Sequence, residues 1–412
     1  MILPCSVEKN KFFIMSNKKN LLSFCFLLLI NFCGFAQLQQ SKKIFIPPAY
    51  RNVSGQMQRA NSNTTSATTC AVDTILLTTQ AQINNFAATY PTCANPKYLI
   101  INGKNASPAI TSLAGLSSIT EVQNKLTITH TSLTSLAALN GITFIGDTLE
   151  VTYNNLLTSL GMSNLTQLGS LRLRVLPVLT SIAGIANNIQ STGSITIDST
   201  GLTSLTALSN IDSLTTPNGG LNISVTPITT LSTLTDLKRI KGYMNIQDIS
   251  QITTLGIPNL QQCWGFLCGA LPNLTTLGTL THHLDNDNKH TGSFWFVQTG
   301  LTNLSGMDSI VSSANFLIWI NPNLTSLQGL NHLSGTTNGE ISIWANDVLA
   351  NTSALSGITG INYGNLTLEE NPLLTNADLM GLKNIVNIEE GLRINNMQGI
   401  TSLNFLDRKS VV

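Results

Sequence analysis

A repeated unit of about 24 residues limits the folds open to this chain more than any other feature of its sequence. Each unit opens with two apolar residues separated by one other residue, as in Leu149 and Val151, and continues into Leu-Thr-Ser-Leu or a variant of it. These apolar pairs begin at Leu99, Leu126, Leu149, Leu171, Ile195, Leu221, Met244, Trp264, Phe294, Phe316, Ile341, Leu366 and Leu392. The shortest and the longest spacing lie on either side of Trp264 and together equal two normal periods, so the repeat continues through an insertion around Gly278 to Ser293.

The apolar pairs have the spacing of a β-strand that buries one face. Residues i and i+2 of a strand point to the same side, so Leu149 and Val151 are expected to point inward and Glu150 outward. A single strand of this kind cannot bury its apolar face, whereas stacked coils cover one another. The repeat therefore predicts an all-β parallel solenoid of about 13 coils. Long helices are not expected, because Thr, Ser, Asn and β-branched residues fill every unit and no helical period persists.

Asparagine recurs three residues after the second inward residue in several units, at Asn154, Asn321, Asn346 and Asn371. Its side chain bonds to nearby backbone amides, and its backbone tolerates the left-handed conformation. We therefore interpret these asparagines as corner formers rather than as ligand-binding residues.

The N-terminal region has the features of an export signal. Lys18 and Lys19 precede an apolar run from Leu21 to Phe32, and Gly34-Phe35-Ala36 supplies small residues at the cleavage position. Residues 1–36 are predicted to be a signal peptide, for which Met15 is a better start than Met1. The run is shorter than the roughly 20 apolar residues that a membrane span needs. Cys33 leaves open a lipid-anchored alternative, although the preceding Phe32 is bulky for one.

The predicted domains follow from these features. Residues 37–68, which are rich in Ser, Gln, Asn and Thr and contain Pro47-Pro48, are predicted to be a polar linker. Residues 69–98 would form an N-terminal cap and residues 99–406 the solenoid. The chain is thus expected to be secreted or displayed at the cell surface.

Four cysteines lie after the predicted signal peptide, and an exported chain can form disulfides. Cys70 and Cys93 bracket the segment before the first unit, and we expect them to join and close the cap. Cys263 and Cys268 are five residues apart, which on an extended strand is roughly 16 Å and too far for a disulfide. These two cysteines can bond only if their strand is bent.

The segment from Cys70 to Phe86, followed by Tyr90-Pro-Thr-Cys93, resembles the start of receptor L-domain-like proteins that Bacteroidetes-type bacteria secrete. The units at residues 316–327 and 366–374 also resemble the repeats of that family. This resemblance covers about residues 70 to 406. It implies a right-handed parallel β-helix related to leucine-rich repeats, and a secreted or surface binding role. The leucine-rich-repeat pattern itself is met only loosely, and this favours a β-helix over a horseshoe with helices.

Residues 407–412 end the repeat abruptly with Asp407, Arg408 and Lys409. We interpret these residues as translated sequencing adapter, and we expect the native chain to continue beyond Leu406.

No catalytic or nucleic-acid-binding pattern stands out. The sequence has no Gly-x-Ser-x-Gly, no His-Glu-x-x-His and no phosphate-binding glycine loop. Only 10% of the residues are charged and the formal net charge is +1, which does not fit nucleic-acid binding. The chain is therefore predicted to be non-enzymatic, without cofactor or metal. A β-helix polysaccharide-degrading enzyme stays open, because such enzymes lack a short motif. The cluster of His282, His283, His290, Asp285 and Asp287 is interpreted as a solvated loop rather than a metal site.

The outward strand positions offer the best candidates for ligand binding. Trp319 and Trp344 each lie one residue past the second inward residue of successive units, and Trp295 lies at the other outward position of the preceding unit. Together with Glu369, these residues are predicted to bind an extracellular glycan or protein, because exposed aromatic rings stack on sugars or anchor protein partners. The predicted function is a binding or adhesion module. Two alternatives remain: the rings only stabilise the sheet, or the solenoid is a structural spacer or accessory domain.

Overall fold

The computed structural model describes residues 70–185, 189–217, 219–278, 292–308, 310–311, 315–404 and 410–411. Its strands are β1 (Thr74–Leu77), β2 (Tyr98–Asn102), β3 (Glu121–Val122), β4 (Lys125–Thr129), β5 (Phe144–Thr152), β6 (Gln167–Leu176), β7 (Ser191–Thr192), β8 (Ile195–Thr200), β9 (Ser213–Leu214), β10 (Gly220–Ser224), β11 (Arg239–Gln247), β12 (Gln262–Leu271), β13 (Ser293–Thr299), β14 (Asn315–Trp319), β15 (Gly335–Thr337), β16 (Ile341–Trp344), β17 (Ile358–Ile361), β18 (Asn365–Glu369), β19 (Asn387–Ile388), β20 (Gly391–Asn395) and β21 (Ser410–Val411).

Helical structure is short. The described residues contain the α-helices α1 (Gln80–Asn84) and α2 (Phe86–Thr89), and the 3₁₀ turns Ala114–Leu116, Ala137–Leu139, Thr206–Leu208, Ser353–Leu355 and Asp378–Leu382. In the described ranges, no helix has both the length and the apolar character that crossing a membrane requires. The predicted signal peptide, the polar linker and the His/Asp cluster lie outside the described residues.

The strands pair in parallel from coil to coil and confirm the predicted all-β parallel solenoid of about 13 coils. Fourteen strands form what we term the long sheet, in the order β1, β2, β4, β5, β6, β8, β10, β11, β12, β13, β14, β16, β18, β20. Equivalent residues of successive units lie side by side, as Leu126 does with Leu149 and Ile128 with Val151. The inward residues of this sheet are almost completely buried between β1 and β18.

A second side of the solenoid is made by shorter strands. β3 pairs with the first residues of β5, which pair in turn with those of β6. β7 pairs with β9, which pairs with the first residues of β11, so the longest strands bend from the second side into the long sheet. The register shifts at two of these bends, between Ile145 and Thr148 and between Ile240 and Tyr243. Gly146 lies at the first bend, where a Cβ would collide with the carbonyl oxygen of Gln123. Further along the chain, β15, β17, β19 and β21 form a separate four-stranded sheet on the second side.

One predicted strand start was wrong. Trp264 does not begin the inward pair of its unit, because Met244 pairs with Phe266 and Ile246 pairs with Cys268. Phe266 and Cys268 are buried, whereas Trp264 is half-buried before the bend. The segment from Cys263 to Cys268 has apolar residues at both alternating sets of positions. Alternation alone therefore does not decide which set points inward. The strand therefore begins its inward pair two residues later than predicted.

From β4 onward, each described strand of the long sheet has one left-handed residue at or just after its C-terminal end. The residue that follows the last outward strand position has a φ between 49° and 57° at His130, Tyr153, Val175, Ser199, Val225, Asp248, Ala270, Gln298, Ile320, Ala345, Glu370 and Asn396. The predicted corner asparagines come directly after this position and do not themselves adopt the left-handed conformation. Because none of these residues is glycine, the surrounding coils must hold them in a conformation that an L-residue disfavours.

The corner asparagines are instead buried and bonded to one another. Asn321, Asn346 and Asn371 are at most 1% exposed. Asn321 Nδ2 donates to Asn346 Oδ1 at 3.0 Å, and Asn346 Nδ2 donates to Asn371 Oδ1 at 3.1 Å. Each amide also reaches a backbone carbonyl of a neighbouring coil, such as that of Ile318, 2.9 Å from Asn346 Nδ2. These bonds satisfy backbone groups that the tight corner would otherwise leave unpaired inside the protein.

The N-terminal end of the solenoid is closed by the predicted disulfide between Cys70 and Cys93. Helix α1 begins with a capping box between Thr79 and Gln82, and the buried Ile83 and Phe86 cover the first coils. The side chain of Gln80 accepts hydrogen bonds from the backbone of Thr111 and Ser112 in the next coil. The segment predicted as a cap also contributes β1, which pairs with β2 as an additional strand of the long sheet.

Cys263 and Cys268 are free thiols and both are buried. Burial raises the pKa of Cys263 to about 12 and raises that of Cys268 further. Both are therefore core residues. At the other end of the chain, Ser410 and Val411 lie in the segment interpreted as sequencing adapter, and there they pair with Asn387 and Ile388.

Candidate functional site

The outer face of the long sheet presents two rows of side chains, one at each outward position of the strands. The second row consists of Thr129, Thr152, Arg174, Asp198, Ser224, Gln247, Gly269, Val297, Trp319, Trp344, Glu369 and Asn395. Alternation along each strand predicted these outward positions. The exception is Gly269, because the inward pair of its strand was predicted to begin at Trp264 instead of Phe266. Side chains within a row are about 4.8 Å apart, so the face is a regular array that a ligand can contact over many coils.

Three of the four tryptophans lie on neighbouring strands of this face. Trp319 pairs with Trp344 on the next strand, and Trp295 pairs with Leu317, two residues before Trp319. We refer to Trp295, Trp319 and Trp344 as the Trp patch. All three side chains are half-buried, which leaves part of each ring accessible from outside.

The rings of the Trp patch also stabilise one another. Trp319 and Trp344 pack edge to face, with 5.9 Å between ring centroids and 81° between ring planes. The indole N–H of Trp319 donates to Ser342 Oγ at 2.9 Å. Under this cover Leu317 is only 8% exposed and Ser342 only 3%, although both point outward. Trp319 and Trp344 therefore form an apolar cluster with a defined geometry. This cluster shields Leu317 and Ser342 from water, whether or not it also binds a ligand.

Glu369 lies beside Trp344 and is held by an ion pair. Its carboxylate contacts the guanidinium of Arg393 on the next strand, and its side chain is 14% exposed. The Arg393 side chain is 67% exposed. The polar group that a ligand meets first at this end of the Trp patch is thus Arg393, which the sequence did not single out.

Charged side chains occupy the opposite, N-terminal part of the same face. Glu150 contacts Lys125 at 2.7 Å and Arg172 at 3.7 Å, and Arg174 contacts Asp198 at 3.1 Å. These partly exposed pairs each contribute little to stability, about 0–1 kcal/mol. They mark where the charged part of the face ends.

Between Asp198 and Glu369 the two outward rows carry no charged residue. We term this part the uncharged stretch; it consists of Asn222, Ser224, Asn245, Gln247, Leu267, Gly269, Trp295, Val297, Leu317, Trp319, Ser342 and Trp344. It crosses six strands, a length of about 24 Å. Four of the six residues in its first half have amide or hydroxyl side chains, and the Trp patch lies in its second half.

The remaining surface offers less. Within the described ranges, no group of three or more His, Cys, Asp or Glu residues is arranged to hold a metal ion. An open cavity of about 360 Å³ lies at the last coil, where Ile394, Met397, Ile400 and Leu403 contribute to its lining. None of the residues predicted to bind a ligand lines this cavity.

The fold and the outer face define a parallel β-solenoid with a regular, partly aromatic surface. No protein-family model matches the sequence, and no curated protein matches it. Among solved structures, it is similar to an internalin of Listeria monocytogenes, with 15% identity, a TM-score of 0.41, and coverage of 80% of this chain and 86% of that chain. It is also similar to a leucine-rich-repeat protein of Leptospira interrogans, with 14% identity, a TM-score of 0.24, and coverage of 73% and 91%. Neither likeness is close enough to say what this chain binds.

Alternation predicted that Gln247 points outward, but neither Asn245 nor Gln247 was predicted to bind a ligand. Both lie on the two rows that carry the tryptophans, and the absence of charge along these rows is visible in the sequence. The ion pair between Glu369 and Arg393 was also detectable, because the two residues differ by one period and lie on the outward face of neighbouring strands.

Proposed function

We propose that this protein is a non-enzymatic recognition module that is exported from the cell and binds a ligand along the outer face of the long sheet. The observation that carries this proposal is the Trp patch, which places three half-buried rings from successive coils on one outer face. Trp is the residue type most often found to dominate binding energy at recognition surfaces. The disulfide between Cys70 and Cys93 supports export, because such bonds persist in oxidising compartments.

A spacer that only separates two other domains is the second candidate. It needs a stable core, which the inward residues supply, and it places no demand on the outer face. Partly exposed indole rings on that face contribute less to stability than buried residues do, and they raise the risk of aggregation. Their grouping on neighbouring strands therefore favours a binding role over a spacer.

The test is to screen the secreted protein against arrays of extracellular proteins and of glycans, and to compare it with the double variant Trp319→Ala/Trp344→Ala. We expect at least one saturable ligand, and binding weakened by about tenfold or more in the variant, since each ring at a contact centre contributes about 2 kcal/mol.

The matched control is Trp264→Ala, which removes a half-buried tryptophan outside the Trp patch. This variant is expected to bind as the wild type does. Circular dichroism must show the same β-sheet content in all three proteins. A ligand that binds the double variant and the wild type equally would contradict the proposed site, and the absence of any ligand would favour the spacer.

A further inference from the structure

The uncharged stretch differs from the rest of the outer face in the interactions that it can make with a ligand. Its amide and hydroxyl groups both donate and accept hydrogen bonds, and its indole rings offer flat apolar faces with an N–H at the edge. Ion pairs end it on both sides, with Arg174 and Asp198 at one end and Glu369 and Arg393 at the other. Because it has no formal charge, a charged ligand would lose its hydration here without gaining an opposite charge.

Polar atoms without a partner are concentrated in this stretch. Asn245 Oδ1, Trp295 Nε1 and Trp344 Nε1 are buried and have no hydrogen-bond partner among the described residues. Buried polar groups are nearly always bonded, so an acceptor and two donors left unbonded on one outer face call for a functional explanation. All three residues occupy outward positions of their strands and are half-buried.

The middle of the stretch is a glycine that packing does not require. At Gly269 an added Cβ would meet only the side chain of Gln247, at 3.7 Å and 4.0 Å, which is ordinary contact. A glycine within a strand lowers stability because it has no side chain to pack. Gly269 is itself buried, and it adds no side chain to the outer face where the amide half of the stretch meets the Trp patch.

Resting on the proposed function, we propose that the ligand is a neutral β-1,4-linked glycan that lies across the strands along the uncharged stretch. Each sugar ring has an apolar C–H face that stacks on an indole ring and hydroxyl groups that both donate to and accept from amide side chains. Equatorially linked rings form a flat ribbon that advances by nearly one strand spacing per ring. Six strands thus match a chain of about six sugar rings.

The experiment measures binding of four neutral β-1,4-linked hexasaccharides, made of glucose, mannose, xylose or N-acetylglucosamine, by tryptophan fluorescence and calorimetry. An α-1,4-linked hexagalacturonate serves as the charged comparison. We expect at least one neutral hexasaccharide to bind and hexagalacturonate not to bind. We also expect the affinity to be the same between about 0.05 and 0.5 M NaCl, because no charges are paired in this complex.

Two variants locate the site. Gly269→Val adds a side chain that suits a strand at a position where none projects, and it should weaken binding by about tenfold or more. Asn245→Ala removes an unbonded buried oxygen, so it should weaken binding while the melting temperature stays the same or rises. Thr196→Val is the matched control, since it is an outward, nearly isosteric change on β8, outside the uncharged stretch.

Three results would overturn the glycan proposal. The first is that none of the four neutral hexasaccharides binds at millimolar concentration. The second is that hexagalacturonate binds more strongly than the neutral hexasaccharides. The third is that a folded Gly269→Val variant binds a neutral hexasaccharide as strongly as the wild type does. A protein ligand that depends on Trp319 and Trp344, with no neutral glycan bound, would sink this inference and leave the proposed function standing.

Discussion

Asn346 shows how much one side chain does in this fold. Its amide nitrogen donates to the carbonyl of Ile318 and to Asn371, while its amide oxygen accepts from the backbone and the side chain of Asn321. The residue is completely buried. One asparagine thus connects three coils, at the corner where the left-handed residue before it interrupts the strand.

We expect Asn346→Ala to lower the free energy of unfolding by about 3 kcal/mol, because several buried backbone and amide groups lose their partners at once. The measurement is urea unfolding followed by circular dichroism. Asn323→Ala, an exposed change at the preceding corner, is the control and should cost less than about 0.5 kcal/mol. Similar effects of the two variants would show that the asparagine row does not support the fold.

The same residue marks a limit of reading the sequence. The recurrence of asparagine predicted its place at the corner, because the period is regular. Whether the asparagine or its predecessor takes the left-handed conformation could not be predicted, since residues as different as His130, Val225 and Ile320 occupy that position. The neighbouring coils impose the left-handed conformation on whichever residue occupies this position. The sequence therefore shows no preferred residue type there.

At the scale of the element, β12 shows why an apolar strand is hard to place. The strand bends between two sides of the solenoid, and both of its cysteines point into the core on different sides of the bend. Alternation predicted the outward positions of Trp295, Trp319 and Trp344, because their strands alternate clearly. It failed at Trp264, where apolar residues occupy both phases.

The two buried thiols of β12 make stability depend on pH in the alkaline range. Their folded-state pKa values lie above the ordinary value of 9.0, so the unfolded chain loses protons first as the pH rises. Stability is therefore fully retained below pH 9 and decreases above it, by about 1.4 kcal/mol per pH unit for each thiol.

We expect the free energy of unfolding to fall by about 3 kcal/mol more between pH 8 and pH 10 in the wild type than in Cys263→Ala/Cys268→Ala. Denaturant unfolding at each pH measures it, and the double variant controls for all other titrating groups. Parallel pH profiles in the two proteins would mean that the thiols are accessible to water in the folded state.

The cap is the second element whose contribution can be isolated. The disulfide joins two residues that are 23 positions apart in the sequence. In the chain-entropy model, this cross-link lowers the entropy of the unfolded chain and so stabilises the folded protein by about 3 kcal/mol. Because the bond lies at the first coil, its loss should act locally.

We expect Cys70→Ala/Cys93→Ala to accelerate hydrogen exchange in β1, α1 and β2 while β14 and β16 keep the rates of the wild type. Exchange followed by mass spectrometry resolves these segments. Equal acceleration along the whole solenoid would contradict a local role for the cap and would indicate a single cooperative unit.

At the scale of the whole molecule, each coil of the long sheet bonds only to the coils directly before and after it. The core is continuous, and among the described strands of the long sheet pairing joins only neighbouring coils, as expected for a repeat architecture. The repeat period made this architecture predictable from the sequence. The second side was not predicted, because its strands are two to four residues long and depend on bends in neighbouring strands.

This organisation allows one coil to be removed. Deleting residues 321–345 joins Ile320 to Asn346, so a left-handed residue again precedes a corner asparagine. We expect the shortened protein to fold, with cooperative thermal unfolding and the β-sheet signal per residue of the parent. The control deletes residues 326–345 and leaves part of a coil behind, which shifts inward residues outward. Equal stability of the two deletions would argue against a periodic core.

The left-handed corners and the strands that follow them also determine how the molecule carries load. All strands of the long sheet lie across the direction in which coils are added, so a force pulling the two ends apart acts on the bonds between one coil and the next. Such bonds open in sequence, each coil releasing about 24 residues of slack chain before the next one yields. A partner held on the outer face would stay attached while coils beyond it extend, and the disulfide would keep the N-terminal end from being the first to peel.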